Sequence, residues 1–276
     1  MNDRFALIDG TKLRYRDNGG AGPAILMTHG IGESLEFWHR QFDSLNQSLR
    51  LIAWDMPGHG LSDESPEAMS LEGQAQVAWK LLDQLGVGVV HLVGNSLGAA
   101  MSIRMASQEP TRVASMLLAN SAALGPEVFG AFRLMTLPFL GGLMTRPGPM
   151  AVAQQIKAIV YRSDTISPEV RTAIERNVHR PGGARHFLAL LRRMTTLRGQ
   201  RSHVWMQSHA ILQSLRMPIL VVHGEHDSVL PEKHSREAHS KASGSQLVII
   251  PDCGHTPQLE QPKVFNDLLD RLIHQR

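Results

Sequence analysis

The segment Gly94-Asn95-Ser96-Leu97-Gly98 follows the apolar run at 89–93 and opens onto the small-residue stretch at 99–103. A G-x-S-x-G pattern between a strand and a helix is the context in which it dictates backbone geometry. A serine there sits on a turn so sharp that its hydroxyl is presented at the sheet edge. The flanking glycines are required because a Cβ at either position would collide with adjacent backbone. The helix starting at the turn directs its free N–H groups toward the serine, where negative charge could be stabilised. A chain built around this turn needs a sheet whose carboxyl edge faces a cleft.

The first 121 residues supply such a sheet. Residues 5–8 and 12–15 flank Asp9-Gly10, a turn signal that predicts an opening hairpin. Continuous apolar runs at 24–28 and 51–54 read as strands buried on both faces, ending at His29-Gly30 and Asp55. Periodic apolar positions from Leu71 to Leu85 predict a helix that Gly86 stops. A further strand is expected over 113–119, ending at Asn120-Ser121. Strand signals return at 218–222 and 246–250, and a helix over 259–273 closes the chain. This alternation argues for an α/β fold, a mostly parallel sheet covered on both sides, with its chemistry at the carboxyl ends of the strands. His29, Asp55, Ser96, Ser121 and the loop after Val222 all fall there.

The alternation breaks at Ala122. Helices are expected over 126–140, 148–161, 168–178 and 184–197 with no strand among them, punctuated by Pro and Gly clusters. The stretch 122–208 holds twelve Lys/Arg against four acids, a net +8 in a chain whose total is +3. Pattern and charge together divide the chain into a core of 1–121 and 209–276 and an inserted helical unit of 122–208. The positive charge attracts anionic partners or simply solvates helix faces. No stacking platform or known module accompanies it, so no nucleic-acid partner is expected.

Hydrophobic content of 42% and charged content of 19% describe an ordinary globular protein. Cys253 is the single cysteine, which excludes an intrachain disulfide and suits a reducing compartment. Residues 1–5 lack the basic-then-apolar pattern of a signal peptide, and no apolar run approaches the roughly 20 residues of a membrane span. A cytoplasmic location is expected. Whether the chain forms a homo-oligomer stays open.

A serine hydroxyl becomes a nucleophile only when a base takes its proton, an acid orients the base, and fixed donors hold the oxyanion. His255 suits the base: it follows the strand at 246–250 in a loop that Gly254 makes pliable, just before the last helix. Asp227, in the loop after the strand at 218–222, suits the acid, with Glu225 as competitor; either could instead cap the helix near Pro231. The order Ser96, Asp227, His255 matches the triad order of one hydrolase architecture. Leu97 supplies one oxyanion amide, and the His29-Gly30-Ile31-Gly32 turn supplies another through Ile31. His29 itself reads as a turn-bracing residue.

Taken together, five segments resemble the α/β-hydrolase superfamily: His29-Gly30-Ile31-Gly32, Asp55-Met56-Pro57-Gly58-His59-Gly60-Leu61-Ser62, Gly94-Asn95-Ser96-Leu97-Gly98, Gly224-Glu225-His226-Asp227 and Gly254-His255-Thr256-Pro257. They span nearly the whole chain apart from the helical insertion. The resemblance implies an eight-stranded, mostly parallel sheet, a helical cap inserted after the sixth strand, a Ser–His–Asp triad and a structural role for Asp55. Haloalkane dehalogenases and epoxide hydrolases of this fold carry an aspartate at the position of Ser96, which sets this chain apart from them. Asn95, Cys253-Gly254-His255, Gln258 and Glu260 are similar to the carbon–carbon hydrolases that cleave ring-fission products of aromatic compounds. In those enzymes a carboxylated substrate would suit a basic cap, with Arg192 or Arg193 as carboxylate ligands. Thr256 departs from them, since a tryptophan typically follows their catalytic histidine.

The expected activity is that of a serine hydrolase cleaving a small carboxylic ester, lactone or thioester through an acyl-enzyme, without cofactor or metal, on a small-molecule substrate. Carbon–carbon hydrolysis is the alternative. Perhydrolase or haloperoxidase-type side activity would use the same triad, and a ligand-binding protein that kept the fold without turnover is the reading from another class. Asn95, Phe129, Phe132, Arg192 and Arg193 are the expected substrate contacts. Phe129, Phe132, Leu134, Met135, Leu137 and Phe139 either line the acyl or alcohol pocket or pack the cap helices.

Overall fold

The computed structural model describes residues 2–45 and 48–274; Met1, the first residue of the N-terminal stretch 1–5, lies outside them. Strand β1 (Arg4–Ile8) pairs antiparallel with β2 (Thr11–Asp17), with Asp9 and Gly10 at positive φ in the turn between them. Then follow β3 (Ala24–Thr28), β4 (Arg50–Trp54), β5 (Val90–Asn95) and β6 (Val113–Ala119). β7 (Thr195–Thr196) and β8 (Gly199–Gln200) form a small ladder of their own, and β9 (Ile219–Gly224) and β10 (Gln246–Ile250) return to the main sheet. The main sheet has eight strands in the order β1-β2-β4-β3-β5-β6-β9-β10. The pairings of β2 with β1 and β4 are antiparallel and the other five are parallel.

The continuous apolar runs follow from burial on both faces. Ile25, Met27, Leu51, Ala53, Val93, Leu117 and Val222 enter one core, while Leu26, Ile52, Leu92, Leu118 and Val221 enter the other. Neighbours in sequence thus point to opposite faces, as a pleated strand requires. The helices that cover them are α1 (His39–Ser44), α2 (Leu71–Gln84) and α3 (Leu97–Gln108) early in the chain. Met101 and Met105 are fully buried on α3 behind the serine turn.

Between β6 and β9 the chain forms α4 (Gly130–Met135), α5 (Leu140–Met144), α6 (Pro149–Ile159), α7 (Pro168–His179) and α8 (Gly183–Met194). The single helix expected over 126–140 is therefore two short ones. Pro138 removes a donor and Phe139 takes φ +61°, which no helix continues through. The helix expected to run to 197 stops at Met194, because the chain turns into the β7–β8 ladder. Gln200 ties that ladder to the start of the insertion, bonding the Ala123 amide and the Gly125 and Glu127 carbonyls.

Helix α9 (Ser202–Ser214) follows, and the expected boundary at 208/209 falls inside it. Arg104 of α3, buried, donates to the Ser208 hydroxyl and to the Val204 carbonyl, each at 3.0 Å, so α9 packs with the core. α10 (Lys233–Lys241), α11 (Pro257–Glu260) and α12 (Pro262–His274) complete the chain. Pro262 separates α11 from α12 where one continuous helix was expected. Among the described residues no helix is long and apolar enough to cross a membrane.

Candidate active site

The turn at Ser96 has the geometry its sequence dictates. Ser96 sits at φ 55° and ψ −114°, a conformation costing about 1–3 kcal/mol, wedged between β5 and the first turn of α3. Its amide donates to the Ala119 carbonyl (2.9 Å), and its carbonyl accepts from the Ala122 and Ala100 amides. A Cβ on Gly94 would strike the Gly98 and Ala99 backbone, and one on Gly98 would strike the Thr28 carbonyl. The glycines are what allow α3 to start this close to β3.

Two strand ends bring a carboxylate to an imidazole. Asp227 Oδ2 lies 2.8 Å from His255 Nδ1, and both side chains are almost fully buried. Asp227 is anchored on every side. Its Oδ1 accepts from the Val229 (2.7 Å) and Leu230 (3.1 Å) amides, and its Oδ2 accepts from Asn120 Nδ2 (2.7 Å). Glu225, the competitor, is exposed and its near neighbour is His226, so Asp227 is the carboxylate at the ring. Burial opposes charge on both partners. Their mutual attraction outweighs it, lowering the pKa of Asp227 and raising that of His255 above the ordinary histidine value. Among the described residues no hydrogen bond joins the Ser96 hydroxyl to the imidazole; such contacts commonly tighten only when substrate is bound.

The loop carrying His255 is held from below and from the cap. Glu260 accepts from the Gly254 (2.9 Å) and Tyr161 (2.6 Å) amides, and the His255 amide donates to the Ile159 carbonyl at the end of α6 (3.1 Å). Asn95 belongs to this scaffold. Its Nδ2 donates to the His255 carbonyl (2.9 Å), its Oδ1 accepts from Gln258 (3.3 Å), and it is fully buried. Its amide is engaged within the protein, and the residue, expected to contact substrate, borders neither of the two cavities described below.

Ile31, Ser96 and Leu97 border one small hollow of about 30 Å³, together with Phe132, Leu191 and Val229. Leu97 opens α3, so its N–H is among the first-turn donors that the helix leaves free. Ile31 and Phe132 also border a much larger cavity of about 670 Å³ between core and cap. Phe129 and Met135 line it too, whereas Leu134 is half-exposed and Phe139 is 95% exposed. Arg192 and Arg193 lie away from it. Arg192 donates to the Thr136 (3.2 Å) and Leu137 (3.3 Å) carbonyls, bracing α8 against the α4–α5 turn, and Arg193 is exposed.

Several residues at the site gave no local signal in the sequence. Arg14 on β2 is buried and donates to Asp55 (2.6 Å) and Glu36 (2.9 Å). Glu36 also accepts from Arg176 on α7 at 2.7 Å, which fastens the cap to the core. Asp55 accepts from the Leu35 and Leu61 amides, each at 2.8 Å, so it knits the 29–35 loop to the 55–62 loop. His29 braces as expected: its Nδ1 lies 2.7 Å from the Gly30 carbonyl and its Nε2 accepts from the Met56 amide. Glu33, buried at the cavity wall, accepts from the Gly30 amide (2.7 Å), and burial pushes its carboxyl up to about 7. Asn120 and Glu33 stand beside residues the motifs mark, but only the folded chain reveals what they touch. Among the described residues there is no cluster of three or more His, Cys, Asp or Glu able to hold a metal ion.

The sheet order, the strained serine turn and the inserted cap define an α/β-hydrolase architecture, and the chain belongs to the alpha/beta hydrolase family, whose model matches residues 25–268. An uncharacterized protein of Mycobacterium tuberculosis is 31% identical over 279 residues, covering 98% of this chain and 80% of that one. A 2-hydroxy-6-oxononadienedioate/2-hydroxy-6-oxononatrienedioate hydrolase of Burkholderia vietnamiensis is 28% identical over 269 residues, covering 95% of this chain and 91% of its own. A carboxylesterase of Bacillus subtilis superposes with a TM-score of 0.82 at 20% identity, covering all of this chain and 92% of that one. At that identity the superposition speaks for the fold alone.

Proposed function

We propose that this hydrolase cleaves a carboxylic ester through an acyl-enzyme on Ser96. The observation that carries the reading is the buried Asp227–His255 pair, 2.8 Å apart, at the same carboxyl edge of the sheet as a serine held at φ 55°. In this reading His255 takes the Ser96 proton as the hydroxyl attacks the ester carbonyl. Asp227 fixes the ring with Nδ1 protonated and stabilises the imidazolium. The Ile31 and Leu97 amides hold the tetrahedral oxyanion, each such donor contributing on the order of 100- to 1000-fold in turnover. His255 then protonates the leaving alcohol, and water repeats the sequence on the acyl-enzyme. The 670 Å³ cavity widens the expectation of a small ester to one with a sizeable apolar group.

Carbon–carbon hydrolysis is the second reading, and the similarity to the B. vietnamiensis enzyme favours it. It ranks below ester cleavage because Arg192 and Arg193, the carboxylate ligands it called for, do not border the cavity, and because Thr256 stands where those enzymes typically carry a tryptophan. A panel of p-nitrophenyl esters of graded chain length, a lactone and a ring-fission dienone separates the two. Ester turnover that disappears in Ser96→Ala supports the first reading, and turnover confined to the dienone replaces it with the second. Undiminished ester hydrolysis by Ser96→Ala removes both.

A further inference from the structure

We propose that the end of the cap built by α4, α5 and the start of α6 is a docking surface for an anionic lipid layer, onto which the protein adsorbs without crossing it. The surface does not depend on which bond the hydrolase cleaves.

The apolar part of this surface begins at a tight turn. The Leu140 amide donates to the Pro138 carbonyl across a single residue (2.6 Å), which holds Phe139 at φ 61° and ψ −49°. Such a turn is strained for any residue with a side chain, and here it leaves the Phe139 ring 95% exposed. Leu143, one helical turn later on the same face of α5, is 55% exposed, and Met150 at the start of α6 is 74% exposed. Met135, Met144, Thr145 and Ala151, interleaved with these in sequence, line the 670 Å³ cavity instead. The apolar tip is therefore the outer side of a wall whose inner side faces the cavity.

Scattered exposed apolar side chains are ordinary, and it is the charge beside these that narrows the partner. The segments 128–163 and 176–201, which build this end of the cap, contain no acidic residue. Glu127, just before the first of them, is already shared by Lys233 and His234. Arg133, Arg146, Arg193 and Arg198 are exposed, and neither they nor Arg192 and Arg201 form an ion pair among the described residues. Other cap arginines do find acids: Arg162 pairs with Asp164 and Arg176 with Glu36. Bonds to backbone carbonyls gather the unpaired ones at the α4–α5 end. Arg133 donates to Leu197 (2.7 Å), Arg192 to Thr136 and Leu137, and Arg201 to Arg192 (3.1 Å). Arg146 closes the turn after Leu143, whose carbonyl accepts its amide. Projecting apolar side chains flanked by uncompensated arginines match the hydrocarbon boundary and anionic headgroups of a lipid layer. A second copy seated on the same patch would instead set these arginines against their own counterparts across a two-fold axis.

The experiment is co-sedimentation of the full chain with vesicles of phosphatidylcholine alone and of phosphatidylcholine mixed with phosphatidylglycerol at about 7:3. Partition into the mixed vesicles is expected to exceed that into the neutral ones by on the order of 100-fold at low salt, and to weaken as salt is raised. Arg146→Gln combined with Arg198→Gln should lower it roughly 30-fold. Phe139→Gly should lower it on the order of tenfold. Glycine adopts the positive φ of that turn freely, so the melting temperature of this variant should not fall and the lost binding is not lost folding. Equal partition into the two kinds of vesicle, partition into neither, or partition that both variants leave intact overturns the proposal. A concentration-dependent dimer in sedimentation velocity that Phe139→Gly abolishes, with no binding to vesicles, replaces the lipid layer with a second copy of the chain.

Discussion

Replacing Glu33 by Gln should change how stability depends on pH, by an amount the structure sets. The Glu33 carboxyl is 2% exposed, and burial raises it from 4.5 to about 7. Between those values the folded state keeps a proton that the unfolded chain has lost. Since the unfolded state binds fewer protons there, wild-type stability falls as pH rises through that window. At about 1.4 kcal/mol for each pH unit that separates the two values, the fall attributable to this group totals about 3 kcal/mol. Glutamine is neutral throughout and can still accept from the Gly30 amide. The stability difference, variant minus wild type, should therefore grow by about 3 kcal/mol between roughly pH 4 and roughly pH 8, whatever its value at the acid end. Urea unfolding with linear extrapolation at a series of pH values measures it. A second readout follows because the Glu33 charge also supports the protonated form of His255. The acid limb of kcat/KM should shift to lower pH in the variant. Wild-type and variant stability curves that run parallel across the window would refute the reasoning.

Three further perturbations bear on other parts of the molecule. Asp227→Asn removes the carboxylate that raises His255, so kcat/KM should fall on the order of 10,000-fold; the acid limb of the remaining activity should drop from above 6.5, as a pH–rate profile on a p-nitrophenyl ester would show. Gly98→Ala pushes a Cβ into the Thr28 carbonyl and should cost on the order of 3 kcal/mol, read from urea denaturation. Glu36→Gln removes the carboxylate that Arg14 and Arg176 share, while Arg14 keeps Asp55 and Asp3, and should cost about 1–3 kcal/mol, with proteolysis of the cap preceding that of the core.

The sheet was legible in the sequence because its strands are buried on both faces, which leaves unbroken apolar runs at 24–28 and 51–54 that no other element explains. The serine turn was legible because glycine is demanded at 94 and 98 by backbone contacts that lie close in sequence. Asp227 and His255 could be picked out by chain order and by their place at strand ends. The cap was harder. Its helices are short, and the break at Phe139 rests on a positive φ that its residue type does not announce. Arg192 and Arg193 looked like ligands on charge alone, whereas Arg180, from the same basic stretch, is the arginine at the cavity. Nothing local separates the three; only the packing of α7 and α8 on the core does. Asn95 misled for the opposite reason. It sits beside the nucleophile in sequence, but a strand alternates its faces, so its side chain turns under the sheet edge toward Gln258.

The central claim is that Ser96 is a nucleophile activated by His255. The most direct measurement is intact-protein and peptide mass spectrometry after exposure to a fluorophosphonate. The expected result is a single covalent adduct, located on Ser96, formed by the wild type and lost in Ser96→Ala and His255→Ala proteins that remain folded. An unmodified wild-type chain, or an adduct on any other residue, would contradict it.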